Sequence, residues 1–306
     1  MSFAPFRFVY PQACMSEYTT LQLGGQADTL VDMTSLEEAK QAIAMTRENQ
    51  MPLTIIGNGS NLLVKDGGIR GLVLRVGASF SGHSLQPQAD GGVVITAQAG
   101  LSLQRLCRIA LEAELTGLEF AYGIPGTVGG AVVMNAGAYG GEMKDVVCAV
   151  EALDEQGNIQ SYQAEALAFD YRHSIFSDAK AVQVVVSVSV RLQKGDKASI
   201  QQTMQTIMAK RQEKQPLQHP SCGSTFKRPS GHFAGALIQE AGLKGYRIGG
   251  ASVSEKHAGF LVNDQKGTAS DYLQLMTFVQ AQVEKQTGVL LTPEVKIIGE
   301  ERTKEV

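Results

Sequence analysis

The chain has 306 residues, of which 43% are hydrophobic and 19% are charged, and this composition is typical of a globular protein with two or three packed units. The formal net charge of -3 provides no basic field for nucleic acid, so no nucleic-acid partner is expected. No apolar run could span a bilayer, and residues 1–12 do not resemble a secretory signal, which favours a cytoplasmic protein without membrane insertion. The four cysteines lack C-x-x-C spacing, so neither a zinc site nor a disulfide framework is expected.

The first predicted lobe covers residues 1–77 and alternates strands with one helix. Ser35 and Glu38 form a capping-box pattern at the start of that helix. Apolar runs at 53–56 and 71–76 predict two strands.

The second predicted lobe covers residues 78–215. Its predicted elements are a strand at 93–97, a helix from Ser102 to Ala113, a hairpin at 146–163, a strand at 181–192 and a helix at 199–214.

Three prolines, Pro216, Pro220 and Pro229, mark the start of a third predicted domain at 216–292. Its predicted elements are a helix at 233–241, strands at 247–253 and 259–262, and a helix at 269–286. A closing strand in 293–306 is expected to return to the second lobe.

Glycine is enriched, with 33 residues, and clusters in two segments, 57–71 and 117–141. The first contains GNGSNLL (57–63), which can present consecutive backbone N–H groups to a phosphate, although a hairpin-like turn is an equally good interpretation. It is not G-x-G-x-x-G and no long helix follows it, which disfavours the usual dinucleotide-binding fold.

The second glycine cluster contains G-I-P-G-T-V-G-G-A, which begins at Gly123. Pro125 restrains the turn, and the Thr127 hydroxyl can donate a hydrogen bond to phosphate. Small residues at 135–138 extend a surface against which a flat ring could lie. Close packing of a helix on a sheet is the alternative that these residues leave open.

Three further segments carry polar groups that could do chemistry. Arg172 in YRHSIF offers a planar fork for a carboxylate or a developing enolate, although an isolated Arg is more often a surface residue. SCGSTFK at 221–227 holds hydroxyl groups and a thiol in a turn, without the order of a hydrolase triad. Glu294 lies at the start of the closing strand, where a carboxylate is more often a surface group. It is a candidate catalytic residue only if the fold brings it close to Arg172 and Ser224.

Taken in order, these segments resemble the UDP-N-acetylenolpyruvoylglucosamine reductase family over nearly the whole chain. The resemblance rests on TTLQLGG (19–25), GNGSNLL, GIPGTVGGAVVMNAGAYG (123–140), YRHSIF, GSTFK (223–227), KGYRIGGASVSEKHAGFLVN (244–263) and LTPEV (291–295). It implies an α+β chain, with a FAD-binding fold of the vanillyl-alcohol-oxidase type in two lobes and a C-terminal α/β substrate domain.

The resemblance also implies an activity and its cofactors. The family uses noncovalent FAD and NADPH to reduce the enolpyruvyl ether of UDP-N-acetyl-3-O-(1-carboxyvinyl)-glucosamine to UDP-N-acetylmuramate, a precursor of peptidoglycan. By motif position, Arg172, Ser224 and Glu294 match the catalytic residues, with Ser224 as the proton donor.

The same resemblance assigns the binding residues. The residues expected to hold FAD are Gly57, Asn58, Gly59, Ser60, Asn61, Gly123, Pro125, Gly126, Thr127, Gly129, Gly130, Asn135, Ala136 and Gly137. The residues expected to contact substrate, chiefly its phosphates, are Tyr171, Arg211, Lys214 and Lys227.

The chain departs from the family pattern in places. Some members have Phe at the position of Thr225, and Asn-Pro where this chain has Arg228-Pro229. The short segment 177–183 leaves no room for an aromatic lid loop, which resembles the branch of the family without that lid. Two other functions stay open: a related flavoprotein oxidase acting on an alcohol, which should lack the three catalytic residues, and a catalytically silent flavin- or nucleotide-binding protein.

Overall fold

The structure, a computed structural model, describes residues 3–177 and 184–302. Its strands are β1 (Val9–Cys14), β2 (Gln26–Asp32), β3 (Leu53–Ile56), β4 (Leu62–Val64), β5 (Ile69–Arg75), β6 (His83–Pro87), β7 (Val93–Gln98), β8 (Leu115–Thr116), β9 (Gly137–Ala138), β10 (Gly141–Glu142), β11 (Val147–Leu153), β12 (Ile159–Gln163), β13 (Val184–Lys194), β14 (Arg247–Ile248), β15 (Ala251–Val253), β16 (Leu261–Asn263) and β17 (Lys296–Ile298). Its α-helices are α1 (Leu36–Glu48), α2 (Leu103–Glu112), α3 (Val128–Val133), α4 (Lys197–Lys214), α5 (Ala234–Glu240) and α6 (Ala269–Thr287).

The chain divides into two compact units, each assembled from segments that are distant in sequence. Unit A consists of Met1–Tyr10, Leu30–Asn58 and Gly71–Lys210. Unit B consists of Pro11–Thr29, Gly59–Arg70 and Arg211–Val306. The roles assigned from sequence to 1–77, 78–215 and 216–292 stay predictions.

The main sheet of unit A has the order β12-β11-β13-β7-β6, and β8 pairs with the end of β13. Neighbouring strands are antiparallel, and the predicted hairpin at 146–163 is confirmed as β11 and β12. The central position of β13 explains its valines, because a strand flanked on both sides is buried along most of its length. Residues 181–183 of that predicted strand lie outside the described residues.

A four-stranded sheet has the order β1-β2-β5-β3, in which β3 and β5 run parallel. Helix α1 precedes β3, and its first turn is capped as predicted because the Ser35 hydroxyl accepts the Glu38 N–H at 3.2 Å. The Glu38 carboxylate accepts N–H groups of Arg7 and Thr34 at 2.8 and 2.6 Å. This cap therefore also ties the N-terminal segment to the helix.

Unit B contains the sheet β14-β15-β16 and the helices α5 and α6. The single strand predicted at 247–253 is wrong, because the chain reverses at Gly249 and Gly250 into the antiparallel pair β14 and β15. Gly249 has φ +53°, and a Cβ there would lie 2.2 Å from the carboxyl carbon of Asp271, so a side chain has neither the backbone conformation nor the space it needs.

Strand β17 pairs in parallel with β4, and both strands belong to unit B. This differs from the expectation that the closing strand joins residues 78–215. The pairing places residues 296–298 directly beside residues 62–64, at the end of the GNGSNLL motif. Residues 303–306 of the expected strand lie outside the described residues.

Within residues 3–177 and 184–302, no helix is long and apolar enough to cross a membrane.

Candidate functional site

The two glycine clusters approach each other within unit A. A Cβ added at Gly57 would lie 2.5 Å from the Thr127 hydroxyl oxygen, so only glycine fits at this point of contact. Gly57 directly follows the strand β3, and Thr127 directly precedes α3. The two segments that are predicted to bind one cofactor are therefore adjacent at Gly57 and Thr127, both of which belong to unit A.

The second cluster is in part the beginning of a helix, which is the alternative that its sequence left open. The Thr127 hydroxyl accepts the Gly130 N–H at 3.2 Å and caps α3. The Gly129 N–H donates to the Ala99 carbonyl at 2.8 Å, and a Cβ at Gly129 would lie 2.8 Å from the Ala99 Cβ. The N–H groups of Gly129 and Gly130 are therefore occupied by the protein.

The remaining part of the second cluster is accessible. Gly123 and Gly126 are half-buried, Pro125 is exposed, and Gly123 has φ +87°. Gly123 and Gly126 have no side chain, and Ile124 between them packs against the core, so a ligand could approach the backbone at the two glycines closely. It is the part of the second cluster that best fits the predicted contact with FAD.

The first cluster continues into unit B, where it meets the TTLQLGG segment. Gly59 has φ +62°, and a Cβ there would lie 2.1 Å from the Tyr18 carbonyl oxygen. The Thr20 N–H donates to the Gly59 carbonyl at 3.3 Å, and the Thr20 hydroxyl donates to the Ser221 carbonyl at 2.7 Å. Thr20 thus links the predicted cofactor loop to the loop that carries Ser224, a role that its sequence alone did not indicate.

Asn61 links the same cofactor loop to the segment that carries Glu294. Its side-chain amide donates to the backbone carbonyl of Glu294 at 3.2 Å, and the backbone carbonyl of Asn61 accepts the Lys296 N–H at 3.0 Å. The Asn61 side chain is therefore engaged with the protein, and its predicted contact with FAD stays a prediction.

Asn135, another residue predicted to hold FAD, lies in a buried polar environment. Its side chain is 0% exposed and donates to the Glu142 carboxylate at 2.8 Å and to the Asp170 carbonyl at 3.0 Å, while its oxygen accepts the Lys144 N–H at 3.0 Å. Both N–H donors and the oxygen of this amide have protein partners, so the side chain supports neighbouring loops, and its contact with FAD stays a prediction.

Arg172 occupies a tight two-residue turn with Tyr171. Asp170 and His173 close this turn with reciprocal backbone hydrogen bonds of 3.2 and 3.1 Å. Arg172 has φ +55°, an uncommon conformation for a residue with a Cβ and one that is enriched at functional sites. The exposed Tyr171 ring lies 5.0 Å below the guanidinium carbon.

The Arg172 guanidinium also contacts the end of the second glycine cluster. Its Nη2 donates to the Gly137 carbonyl at 3.2 Å, and Gly137 pairs with Glu142 in the β9–β10 hairpin. Ala136 is bonded to both Ala131 and Met143 through its backbone. Arg172 is thus placed beside residues predicted to face the flavin.

Ser224 and Glu294 lie on neighbouring extended segments of unit B. Phe226 and Pro293 form an antiparallel bridge, and the Glu294 N–H donates to the Thr225 carbonyl at 2.8 Å. Ser224 is exposed and Glu294 is half-buried. Two of the three predicted catalytic residues are therefore close in space although 70 positions separate them in sequence.

Cys222 lies in the same loop but does not suit nucleophilic chemistry. It is buried, and desolvation raises its pKa to about 11. A thiol in this state is protonated at neutral pH, so the interpretation as a small buried residue is the better one.

The residues predicted to contact the substrate phosphates differ in exposure. Arg211 is only 6% exposed, and its Nη1 donates to the Gln215 side chain at 3.3 Å. Lys214 is exposed at the end of α4, and Lys227 is half-buried. The Lys227 N–H donates to the Thr292 carbonyl at 2.8 Å, which places Lys227 close to Glu294 along the paired segments.

Comparison with known proteins identifies the class first. Residues 27–162, which contain both glycine clusters and most of the β11–β12 hairpin, match the family model of a FAD binding domain. Together with the mixed strands and helices, this match confirms the predicted α+β fold class, and it places the chain among FAD-dependent oxidoreductases.

The particular family follows from the rest of the chain. Residues 215–298 match the C-terminal domain of UDP-N-acetylenolpyruvoylglucosamine reductase. The chain is 47% identical to the reductase of that name from Caldanaerobacter subterraneus, over 95% of this chain and 94% of the relative, and 49% identical to the one from Pediococcus pentosaceus, over 94% and 93%. The chain belongs to the UDP-N-acetylenolpyruvoylglucosamine reductase family.

A solved structure supports the same assignment. The crystal structure of UDP-N-acetylenolpyruvylglucosamine reductase from Thermus caldophilus is 36% identical in sequence and covers 95% of this chain and 99% of its own, with a TM-score of 0.78. The two chains therefore share their fold over most of their length.

Proposed function

We propose that this protein reduces the enolpyruvyl ether of UDP-N-acetyl-3-O-(1-carboxyvinyl)-glucosamine to the lactyl ether of UDP-N-acetylmuramate. FAD is its noncovalent cofactor, NADPH is the hydride source, and the product enters peptidoglycan synthesis in the cytoplasm. The observation that carries the proposal is the pairing of the Ser224 and Glu294 segments, joined by the Glu294 N–H to Thr225 carbonyl bond of 2.8 Å. This pairing supports the proposal because it joins the backbone segments that carry a hydroxyl and a carboxylate, in a chain that belongs to this family.

The residues around the glycine clusters fit FAD. The Gly57 contact with Thr127 leaves no space for a side chain, and the stretch from Gly123 to Gly126 is accessible. We assign Gly57 to Ser60 and Gly123 to Gly126 to the phosphates, and Ala136 and Gly137 to the ring system. FAD held by these residues would supply hydride chemistry to the outer carbon of the enolpyruvyl group.

Arg172 is assigned to the substrate carboxylate. When the outer carbon gains a hydride, negative charge develops on the inner carbon and its carboxylate, as an enolate. A guanidinium can bond both carboxylate oxygens at once, and a fixed positive group there lowers the energy of the enolate. The bond from Arg172 Nη2 to the Gly137 carbonyl holds the guanidinium in one orientation.

Ser224 is assigned as the proton donor. Glu294, on the neighbouring segment, is assigned either to stabilise the negative charge of the enolate or to act as an acid. A serine hydroxyl is a weak acid, so it needs a strongly basic acceptor such as the carbanionic inner carbon. Proton transfer from Ser224 Oγ to that carbon completes the lactyl group. Because Ser224 is exposed, the alkoxide that remains can recover its proton from solvent.

Cationic side chains are assigned to the diphosphate of the substrate. Lys227 is the nearest to Ser224 along the chain, and Lys214 and Arg211 lie in the last turn of α4. Lys214 is exposed and can reach a ligand without any rearrangement of the core. Tyr171 is assigned to substrate through its position beside Arg172.

The proposal predicts a yellow protein that releases FAD on acid or heat treatment. NADPH should bleach the flavin absorbance, and the enolpyruvyl substrate should restore it. Colourless protein that cannot be reconstituted with FAD would refute the cofactor assignment. Flavin that NADPH reduces but the substrate does not reoxidise would favour the silent flavin-binding protein, and reduction by an alcohol would favour the oxidase.

Replacing Arg172 with Lys should reduce substrate turnover by about 10²-fold or more while FAD stays bound, because Lys keeps the charge but loses the planar fork. Stopped-flow reoxidation of reduced flavin by the substrate would measure this loss. Arg108→Lys is the matched control, since Arg108 is exposed on α2. Near-normal turnover of Arg172→Lys would remove Arg172 from the site.

A further inference from the structure

A buried tyrosine lies directly behind the turn that carries Ser224. Tyr272 is 0% exposed, and its hydroxyl lies 3.0 Å from the Thr225 hydroxyl and 3.2 Å from the Cys222 sulfur. These two partners flank Gly223 and Ser224 in the chain. The phenol therefore holds the turn on both sides of Ser224 without contacting Ser224 itself.

The hydrogen bonds around this phenol form a closed ring. The Leu261 N–H donates to the Thr225 hydroxyl oxygen at 3.2 Å, and the Tyr272 hydroxyl donates to the Leu261 carbonyl at 3.4 Å. The Thr225 hydroxyl can then donate to the Tyr272 oxygen, which gives every proton in the ring an acceptor. Such a ring is directional, so it holds Thr225 in one position.

Thr225 connects this ring of hydrogen bonds to Ser224 and Glu294, two of the three candidate catalytic residues. Its N–H donates to the Gly259 carbonyl at 3.0 Å, and its carbonyl accepts the Glu294 N–H at 2.8 Å. Each polar group of Thr225 thus has a partner, and Ser224 is the residue directly before it. On its other side Ser224 follows Gly223, whose φ is +79° and whose Cβ position is open.

The helix that carries the phenol is itself fixed at that end. Tyr272 lies in the first turn of α6, where the Asp66 carboxylate accepts the N–H groups of Ala269 and Ser270 at 2.8 and 2.9 Å. Asp66 follows β4, which pairs with the strand after Glu294. The phenol and Glu294 therefore share one rigid frame within unit B.

We propose that Tyr272 is a positioning residue for the protonation step, whose hydroxyl acts through Thr225 and Cys222 to hold Ser224 beside Glu294. The inference rests on the proposed function and assigns that reaction a residue that does not touch the substrate. A misplacement of about 1 Å can cost about 10²-fold in rate, so a group that fixes the donor matters although it transfers no proton.

Burial keeps the phenol in the form that this role needs. Desolvation and the neighbouring Cys222 raise the pKa of Tyr272 well above its usual value. The hydroxyl therefore stays protonated at neutral pH and can both donate and accept a hydrogen bond.

The test uses the FAD-loaded Tyr272→Phe variant. Reduction of the flavin by NADPH should stay within about twofold of the wild type, while reoxidation by the enolpyruvyl substrate should slow about 10- to 100-fold. The solvent deuterium isotope effect on reoxidation should increase, because proton transfer becomes more rate-limiting. Thr225→Val should act in the same direction, and Thr225→Ser, which keeps the hydroxyl, should stay close to the wild type.

Val283→Ala is the control for loss of stability alone. Val283 is fully buried on the same helix, about three turns and 16 Å from Tyr272 along the axis. It should lower the Tm and leave both half-reactions unchanged. If Tyr272→Phe does the same, or slows both half-reactions equally, the positioning role is overturned.

The wild type separates this inference from the proposed function. If wild-type reduced flavin is not reoxidised by the enolpyruvyl substrate, the proposed function fails and the role of Tyr272 fails with it. If the wild type is reoxidised and neither Tyr272→Phe nor Thr225→Val slows that step, only the inference about Tyr272 fails.

Discussion

Replacing Ser224 with Ala should slow the reoxidation of reduced flavin by the enolpyruvyl substrate by about 10²–10⁴-fold, the contribution of a positioned proton donor. Reduction of the flavin by NADPH should stay near normal, because the two half-reactions share only the flavin and the serine has no part in the first. Stopped-flow absorbance would follow the two steps separately. FAD content should not change, since Ser224 is exposed and losing its hydroxyl leaves no buried group without a partner.

Ser230→Ala is the matched control, because Ser230 is also exposed and lies six positions further along the chain. It should leave both half-reactions unchanged. An equal slowing of both half-reactions in Ser224→Ala, or a loss of flavin, would make Ser224 structural. If neither step slows, another group carries the proton, and Cys222 would then need testing despite its raised pKa.

Replacing Glu294 with Gln should lower turnover by about 10²–10³-fold, in the range for loss of a group that stabilises transition-state charge, with little change in substrate affinity. An amide has nearly the shape of the carboxyl group but cannot transfer a proton. The backbone of Glu294 should keep its place, because its N–H is bonded to Thr225 and its carbonyl to Asn61. Steady-state turnover and substrate titration of the oxidised enzyme would measure the two quantities.

Glu284→Gln is the control for loss of a carboxylate, since Glu284 is exposed on α6. It should match the wild type in both measurements. If Glu294→Gln weakens substrate binding and leaves turnover at saturation intact, Glu294 is a binding residue. The role of Ser224 would not change in that case.

Local patterns in the sequence predicted many of the elements that surround the site. Ser35 and Ser102 were predicted as helix caps, and both accept the N–H three residues later. The strand at 53–56 and the hairpin around residues 154–158 also match. These features depend on neighbours within a few residues, so the necessary information lies in short stretches of chain.

The glycine clusters were found from sequence, but their individual roles were not. Gly57 makes a close contact with Thr127, and Gly129 makes one with Ala99. The distinction between a glycine that faces a ligand and one that packs against a neighbour depends on residues far away in the chain. A composition or a spacing cannot carry that information.

The sequence by itself determined the family, the two glycine clusters and the three candidate catalytic residues. Each of these was recognised from short motifs, which are visible in a few consecutive residues without knowledge of the fold. Only the tertiary structure decided which of them meet. Strand β17 pairs with β4 rather than with the second lobe, and Asn61 and Thr225 hold the Glu294 backbone from two sides. No sequence motif singled out Tyr272, and its proposed role rests on contacts with Cys222 and Thr225, which are 50 and 47 positions away. Such contacts form through burial and hydrogen bonding between distant segments, and their geometry exists only once the chain is folded.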